Sequence, residues 1–92
     1  MINVIRFTAS WCSPCKSLAP IMEDIKSEMS SDPNIRFSVI DVDSDRMSAS
    51  QYGIRSVPTV VVENNGVVVQ QVVGVKSKME YITAINNASF NK

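Results

Sequence analysis

Histidine is absent from this 92-residue chain. Without it there is no imidazole base, no Ser-His-Asp or Cys-His nucleophile system, and no His-ligated zinc or haem. Long apolar runs are missing too. None approaches the ~18 residues of a membrane span, and the N-terminus has neither the basic start nor the apolar stretch of a signal peptide. The expectation is a cytoplasmic chain with no membrane partner. Charge of one sign is also lacking: nine Lys+Arg offset nine Asp+Glu, so no basic field recruits nucleic acid. No GxGxxG or P-loop occurs, and no cofactor is expected. Cysteine is scarce, and both residues sit together in Cys12-Ser13-Pro14-Cys15. A bridge three residues long cannot substitute for a core. A structural zinc needs four ligands, which two thiols without imidazole do not supply, so no metal is expected. Lys16 stands where a c-type haem motif requires histidine. What remains is a local dithiol, and that is redox chemistry.

The composition is 45% hydrophobic and 20% charged, ordinary for a globular domain and contrary to disorder. No linker, repeat or low-complexity stretch divides it, so residues 1–92 read as one domain with one core. Met1 to Phe7 reads as a strand, apolar on both parities and therefore internal to a sheet. From Cys12 the period changes. Cys15, Leu18, Met22, Ile25 and Met29 form one face of a helix running to about Met29. Pro14 sits in its first turn, where a missing N–H costs nothing, and Pro20 lies deeper, where a kink is expected. Asp32-Pro33-Asn34 is a turn before a strand near Arg36 to Val42. Ser44 to Tyr52 reads as a short helix closed by Gly53. Thr59 to Glu63 and Val67 to Val73 are strands joined at Asn65-Gly66, a strong hairpin signal. Ser77 and Glu80 have capping-box spacing and open a last helix whose apolar stripe includes Met79, Ile82 and Ile85. The order β-α-β-α-β-β-α predicts a four-stranded mixed α/β sheet with three helices on both faces. Met22, Met29, Met79, Tyr52 and Phe37 read as packing, and Asp43 as a cap or loop residue.

The dithiol lies where a strand–loop feeds a helix. Unpaired N–H groups and the macrodipole there favour an anion, which holds the Cys12 thiol below its ordinary value. Cys15, one turn on, faces the apolar stripe and can close a disulfide while shielded. Pro14 restricts the loop between them, and Lys16 adds positive charge nearby.

Trp11-Cys12-Ser13-Pro14-Cys15-Lys16 resembles the WCGPCK motif of thioredoxins, and Tyr52-Gly53-Ile54-Arg55-Ser56-Val57-Pro58-Thr59 resembles the family's second landmark. Pro20, the Asn65-Gly66 hairpin and Gly74 also stand at family spacings, so the likeness spans nearly the whole chain. The resemblance implies Cys12 as attacking thiolate and Cys15 as resolving thiol. It implies Trp11 and Pro58 bordering them, with Val57–Pro58 cis, the Val57 backbone pairing with an extended substrate segment, and Gly74 leaving room for it. Ser13, Pro14 and Lys16 would modulate the site.

Two departures stand out. Thioredoxins carry a further strand and helix before the strand leading to the dithiol, so a thioredoxin fold lacking both is expected, with a glutaredoxin-like four-strand core and one barer sheet edge. The family's buried aspartate, six residues before the first cysteine, is replaced by Arg6, and the lysine that accompanies it corresponds to Val39. A guanidinium cannot accept a proton. Directed under the dithiol, Arg6 would favour thiolates and the reduced protein; the other reading has it turned to solvent or paired with an acid.

The expected activity is reduction of protein disulfides by Cys12 and Cys15, in a monomer. The resemblance implies thioredoxin reductase as electron donor and ribonucleotide reductase as a client. The alternatives are a glutaredoxin-like enzyme drawing on glutathione, and a binding module that does not need the dithiol.

Overall fold

The computed structural model describes residues 1–90. Its elements follow the order read from the sequence: β1 Ile2–Thr8, α1 Ser13–Glu28, β2 Ile35–Asp41, α2 Arg46–Gln51, β3 Thr59–Asn64, β4 Val67–Val73 and α3 Lys78–Phe90. The strands form one sheet in the order β2-β1-β3-β4. The crossover through α1 makes β1 and β2 parallel, whereas β1–β3 and the β3–β4 hairpin are antiparallel.

β1 is internal, as its two-parity apolar pattern requires, because alternate side chains leave a strand on opposite faces. Ile2 and Val4 join Leu18, Met22 and Ile25 of α1 and Tyr81, Ala84, Ile85 and Ala88 of α3 in the larger core. Ile5 and Phe7 point the other way, with Val61, beneath Tyr52 and Ile54 at the end of α2. α1 and α3 therefore cover one face and α2 the other. Burial is what seats α1. Leu18 and Ile25 are fully buried, and each such side chain contributes roughly 1.5–3 kcal/mol. Pro20 lies within α1, exposed, and the helix runs on past it to Glu28.

α2 is shorter than the expected Ser44–Tyr52. Asp45 caps its start, its carboxylate accepting from the Ser48 N–H and hydroxyl. That pairing holds the Asp45 carboxyl below its ordinary value, chiefly through the Ser48 hydroxyl. Gly53 ends α2 at φ +66°. Its N–H bonds to the Ser50 carbonyl and that of Ile54 to the Ala49 carbonyl, the paired bonds of a Schellman motif. Asn65 and Gly66 take φ of +52° and +84°, the double positive φ of a tight hairpin turn.

The stripe of α3 needs correction. Ser77 Oγ accepts from the Glu80 N–H at 3.3 Å, as the spacing implied. Met79 however is 66% exposed and does not fill the core. The buried positions are Tyr81, Ala84, Ile85 and Ala88, an i, i+3, i+4, i+7 series, with Ile82 at its margin. Met79 lies in the first turn, off that stripe, beside a groove along β4. Tyr52 packs on Phe7 with ring centroids 5.5 Å apart, and it also makes a polar contact. Its hydroxyl donates to buried Glu63 at 2.8 Å while Asn3 Nδ2 donates to the second carboxylate oxygen at 3.1 Å. Among the described residues no helix is long and apolar enough to cross a membrane.

Candidate redox site at the start of the first helix

Four connections meet at one end of the sheet: β1–α1, β2–α2, α2–β3 and β4–α3. The first carries the dithiol. Cys12 is the N-cap of α1, in extended conformation, with Ser13 and Pro14 as the first two helical residues. Its sulfur takes the place of the usual capping oxygen: Cys12 Sγ accepts the Cys15 N–H at 3.2 Å. Pro14 suits its place because its missing N–H is one of those that have no intrahelical partner. The Cys12 N–H donates to the Ala9 carbonyl at 3.2 Å, tightening the loop.

Cys12 and Cys15 are joined as a disulfide, with Cα atoms 5.3 Å apart. Both are buried, at 4% and 2% exposure, and pack with Ala9 against Val42 and Val57. The Val57–Pro58 peptide is cis, and the Val57 carbonyl oxygen lies 3.7 Å from Cys12 Sγ. Pro58 is buried and its carbonyl accepts the Gly74 N–H at 2.9 Å. Gly74 has φ +86°, and a Cβ added there would meet nothing within 4 Å. The space beside it is open, and its backbone conformation by itself favours glycine. Tyr81 closes this corner from below, donating to the Gly74 carbonyl at 2.9 Å and accepting the Lys76 N–H at 3.0 Å.

Trp11 is 68% exposed next to the disulfide. Asp43 fixes it, its carboxylate accepting the indole N–H at 2.8 Å. Trp11, Val42, Ile54, Arg55, Ser56 and Val57 line a recess of about 120 Å³. The sequence reading of Asp43 as a loop residue is right about its place, since Asp45 is the cap, but it missed this role. The available signal was an acidic loop leaving β2 at the end of the sheet where Trp11 also emerges. Tyr81 carried no such signal. Lys16 is exposed on the outer side of α1.

Arg6 is half-buried on β1, between Val39 of β2 and Val60 of β3 in the sheet register. It makes no ion pair among the described residues. Pairing with an acid, one of the two forms of the second reading, is therefore unmet among the described residues. Arg6 and Cys15 line a common hollow of about 270 Å³.

The arrangement suits thiol–disulfide exchange. One sulfur sits at the tip of a helix with a backbone donor aimed at it. A second lies within bonding reach of it, the Val57 carbonyl stands 3.7 Å from the first, and the exposed indole of Trp11 is next to them. Comparison with known proteins agrees. The thioredoxin family model matches residues 1–87. A thioredoxin of Chlamydia caviae is 38% identical over 86 residues, 94% of this chain and 81% of that protein. A thioredoxin of Bacillus subtilis is 42% identical over 72 residues, covering 78% of this chain and 67% of the relative. The X-ray structure of Fasciola hepatica thioredoxin superposes with a TM-score of 0.85 at 28% identity, over 95% of this chain and 80% of that one. With its motif, topology and site geometry in agreement, the chain belongs to the thioredoxin family.

Proposed function

We propose that the protein reduces disulfides of client proteins by dithiol–disulfide exchange, with Cys12 as nucleophile and Cys15 as resolving thiol. The Cys12 thiolate attacks one sulfur of the client disulfide, and the departing client thiolate takes up a proton. The mixed disulfide so formed is attacked by Cys15 after it loses its own proton. The Cys12–Cys15 bond forms, the second client thiolate leaves, and two electrons have passed to the client. The observation that carries this reading is the Cys12 sulfur capping α1 and accepting the Cys15 N–H. A thiolate there keeps that bond, and charge-assisted bonds are roughly twice as strong as neutral ones.

Around the sulfurs, Trp11 and Val57 with Pro58 form the client platform, the Val57 backbone offering an edge to an extended client segment. Gly74 leaves the adjoining space free. Ser13 and Pro14 fix the helix start, and Lys16 contributes positive charge. The oxidised pair is returned to the dithiol by thioredoxin reductase, ribonucleotide reductase is among the clients, and the setting is cytoplasmic. An insulin-disulfide reduction assay tests this, run with thioredoxin reductase and NADPH and, separately, with glutathione and glutathione reductase. Turnover in the first, and its loss in Cys12→Ser and Cys15→Ser, is expected. Turnover with glutathione alone would move the donor assignment, and activity surviving both substitutions would end the proposal.

A further inference from the structure

The charged lining behind Cys15 is not used by the exchange steps above. Arg6 from β1, Lys16 from α1 and Asp41 from the end of β2 line the same hollow as Cys15, whose remaining walls are small residues such as Ala9 and Ala19. Asp41 is engaged elsewhere, its carboxylate accepting the N–H groups of Asp43 and Ser44 at 2.9 and 3.3 Å. The guanidinium of Arg6 has no carboxylate partner among the described residues. On its other side it borders a smaller recess with Glu23 and Lys26, again without an ion pair. Two positive charges and one negative leave the hollow net positive. A guanidinium stays charged at any working pH, and it cannot serve as a base.

We propose that Arg6 is a positioning residue for the resolving step, whose fixed charge stabilises Cys15 as a thiolate and thereby tunes the redox poise of the pair. This rests on the reading of Cys15 as the resolving thiol. The step gains nothing by proton transfer to Arg6. Cys15 loses its proton to solvent, its thiolate attacks Cys12 Sγ of the mixed disulfide, and the client sulfur leaves with the electron pair. Arg6 lowers the cost of the first of these events. An opposite charge within ~4–6 Å favours the charged form of a group by about 1–3 pK units, and a half-exposed guanidinium belongs at the low end. Raising a thiol by about one unit cuts its thiolate fraction tenfold near neutrality, while a Brønsted slope of about 0.4–0.5 returns roughly threefold in nucleophilicity. The net loss is about threefold.

Arg6→Met and Arg6→Lys test this, the first removing the charge at similar length and the second keeping it. Reduced protein is mixed with dithionitrobenzoate in a stopped-flow instrument. The second release of thionitrobenzoate, when Cys15 displaces it from Cys12, is followed between pH 5 and 10. For Arg6→Met the expected result is resolution about threefold slower at pH 7, with the pH profile displaced upward by about one unit, and recovery in Arg6→Lys. Reduction potentials against a thiol buffer should coincide at acid pH, where both sulfurs are protonated. They should separate toward alkaline pH by up to about 30 mV, the equivalent of tenfold in the equilibrium. Merely structural damage would offset the potential at every pH, and that outcome, or an unchanged profile in Arg6→Met, overturns the proposal. Melting curves confirm that the variants are folded. Wild-type protein that fails to reduce insulin while its Cys15 profile still follows the charge at position 6 would defeat the proposed function alone.

Discussion

Tyr81→Phe isolates one hydroxyl that ties the core to the site. The ring is 1% exposed and sits among Leu18, Ile25 and Ile85, so its phenyl equivalent leaves the apolar packing in place. What is lost is the bond donated to the Gly74 carbonyl and the one accepted from the Lys76 N–H. Each is worth about 0.5–1.5 kcal/mol net, so about 2 kcal/mol is expected for the pair. In a domain of this size 1 kcal/mol moves Tm by roughly 4–8 °C, giving a fall of about 8–16 °C. Urea unfolding followed by circular dichroism measures the free energy directly.

The same substitution carries a pH signature. Burial pushes the Tyr81 phenol above its ordinary value, the Glu80 charge adds to this, and the Lys76 backbone bond opposes it. A group whose value is raised on folding gives its stability in full below the unfolded value, near 10, and loses it as pH rises through the folded value. The gap between wild type and variant should therefore be constant up to about pH 9 and narrow above pH 10. Hydrogen exchange adds a local check. The Lys76 amide should lose protection, while that of Gly74, bonded to the Pro58 carbonyl, keeps it. A stability loss under about 0.5 kcal/mol would mean that water replaces the hydroxyl without cost, and the reasoning fails.

Tyr52→Phe should cost about 1.5–3 kcal/mol, because buried Glu63 loses one of its two donors, Tyr52 and Asn3. The Glu63 bond is the main reason that the Tyr52 phenol is raised, so this gap also closes above pH 10, measurable in alkaline unfolding curves. Gly74→Ala meets open space at φ +86°, and backbone strain of about 1–2 kcal/mol is the whole expected effect on unfolding. A rise in KM for protein clients beyond that would mark client contact at this position, and an unchanged KM would remove Gly74 from the platform. Asp43→Ala should release Trp11, the single tryptophan of the chain. Fluorescence anisotropy should fall and client KM rise severalfold with stability nearly unchanged. An indole as rigid as in wild type would show that Asp43 does not hold it.

The fold was legible where period and turn chemistry act locally. The shift from alternation in β1 to three-and-four spacing in α1 located the boundary that carries Cys12, and Asn65-Gly66 located the hairpin. Polar pairs that cross between elements or loops were not legible. Trp11 with Asp43, Tyr52 with Glu63, and Tyr81 with Gly74 each join residues whose own neighbourhoods favour a blander reading: a loop acid, a packing aromatic, a helix residue. Met79 misled for the converse reason. Its spacing to Ile82 imitates a stripe, yet the line that α3 turns to the sheet is set by Tyr81, Ala84 and Ile85. Arg6 was conspicuous by its residue type, but its lack of an acidic partner among the described residues emerged only when β1, α1 and β2 were assembled around it.

The dithiol itself needs little from the rest of the molecule to stay closed. A ring this small, with a sequence separation of 3, restricts the unfolded chain by only about 2 kcal/mol on the chain-entropy view. Reduction gives that up, while the bond from the Cys15 N–H to Cys12 Sγ, already present with the disulfide closed, strengthens when that sulfur is a thiolate, since charge-assisted bonds are roughly twice as strong as neutral ones. The same Cys15 N–H thus holds the start of α1 in both redox states. A charge that favours the thiolate shifts the balance between them toward the reduced state. On the proposed role, the guanidinium of Arg6, which lines the same hollow as Cys15, adds to that balance directly, about 30 mV for each tenfold in the equilibrium whatever the starting stability of the disulfide.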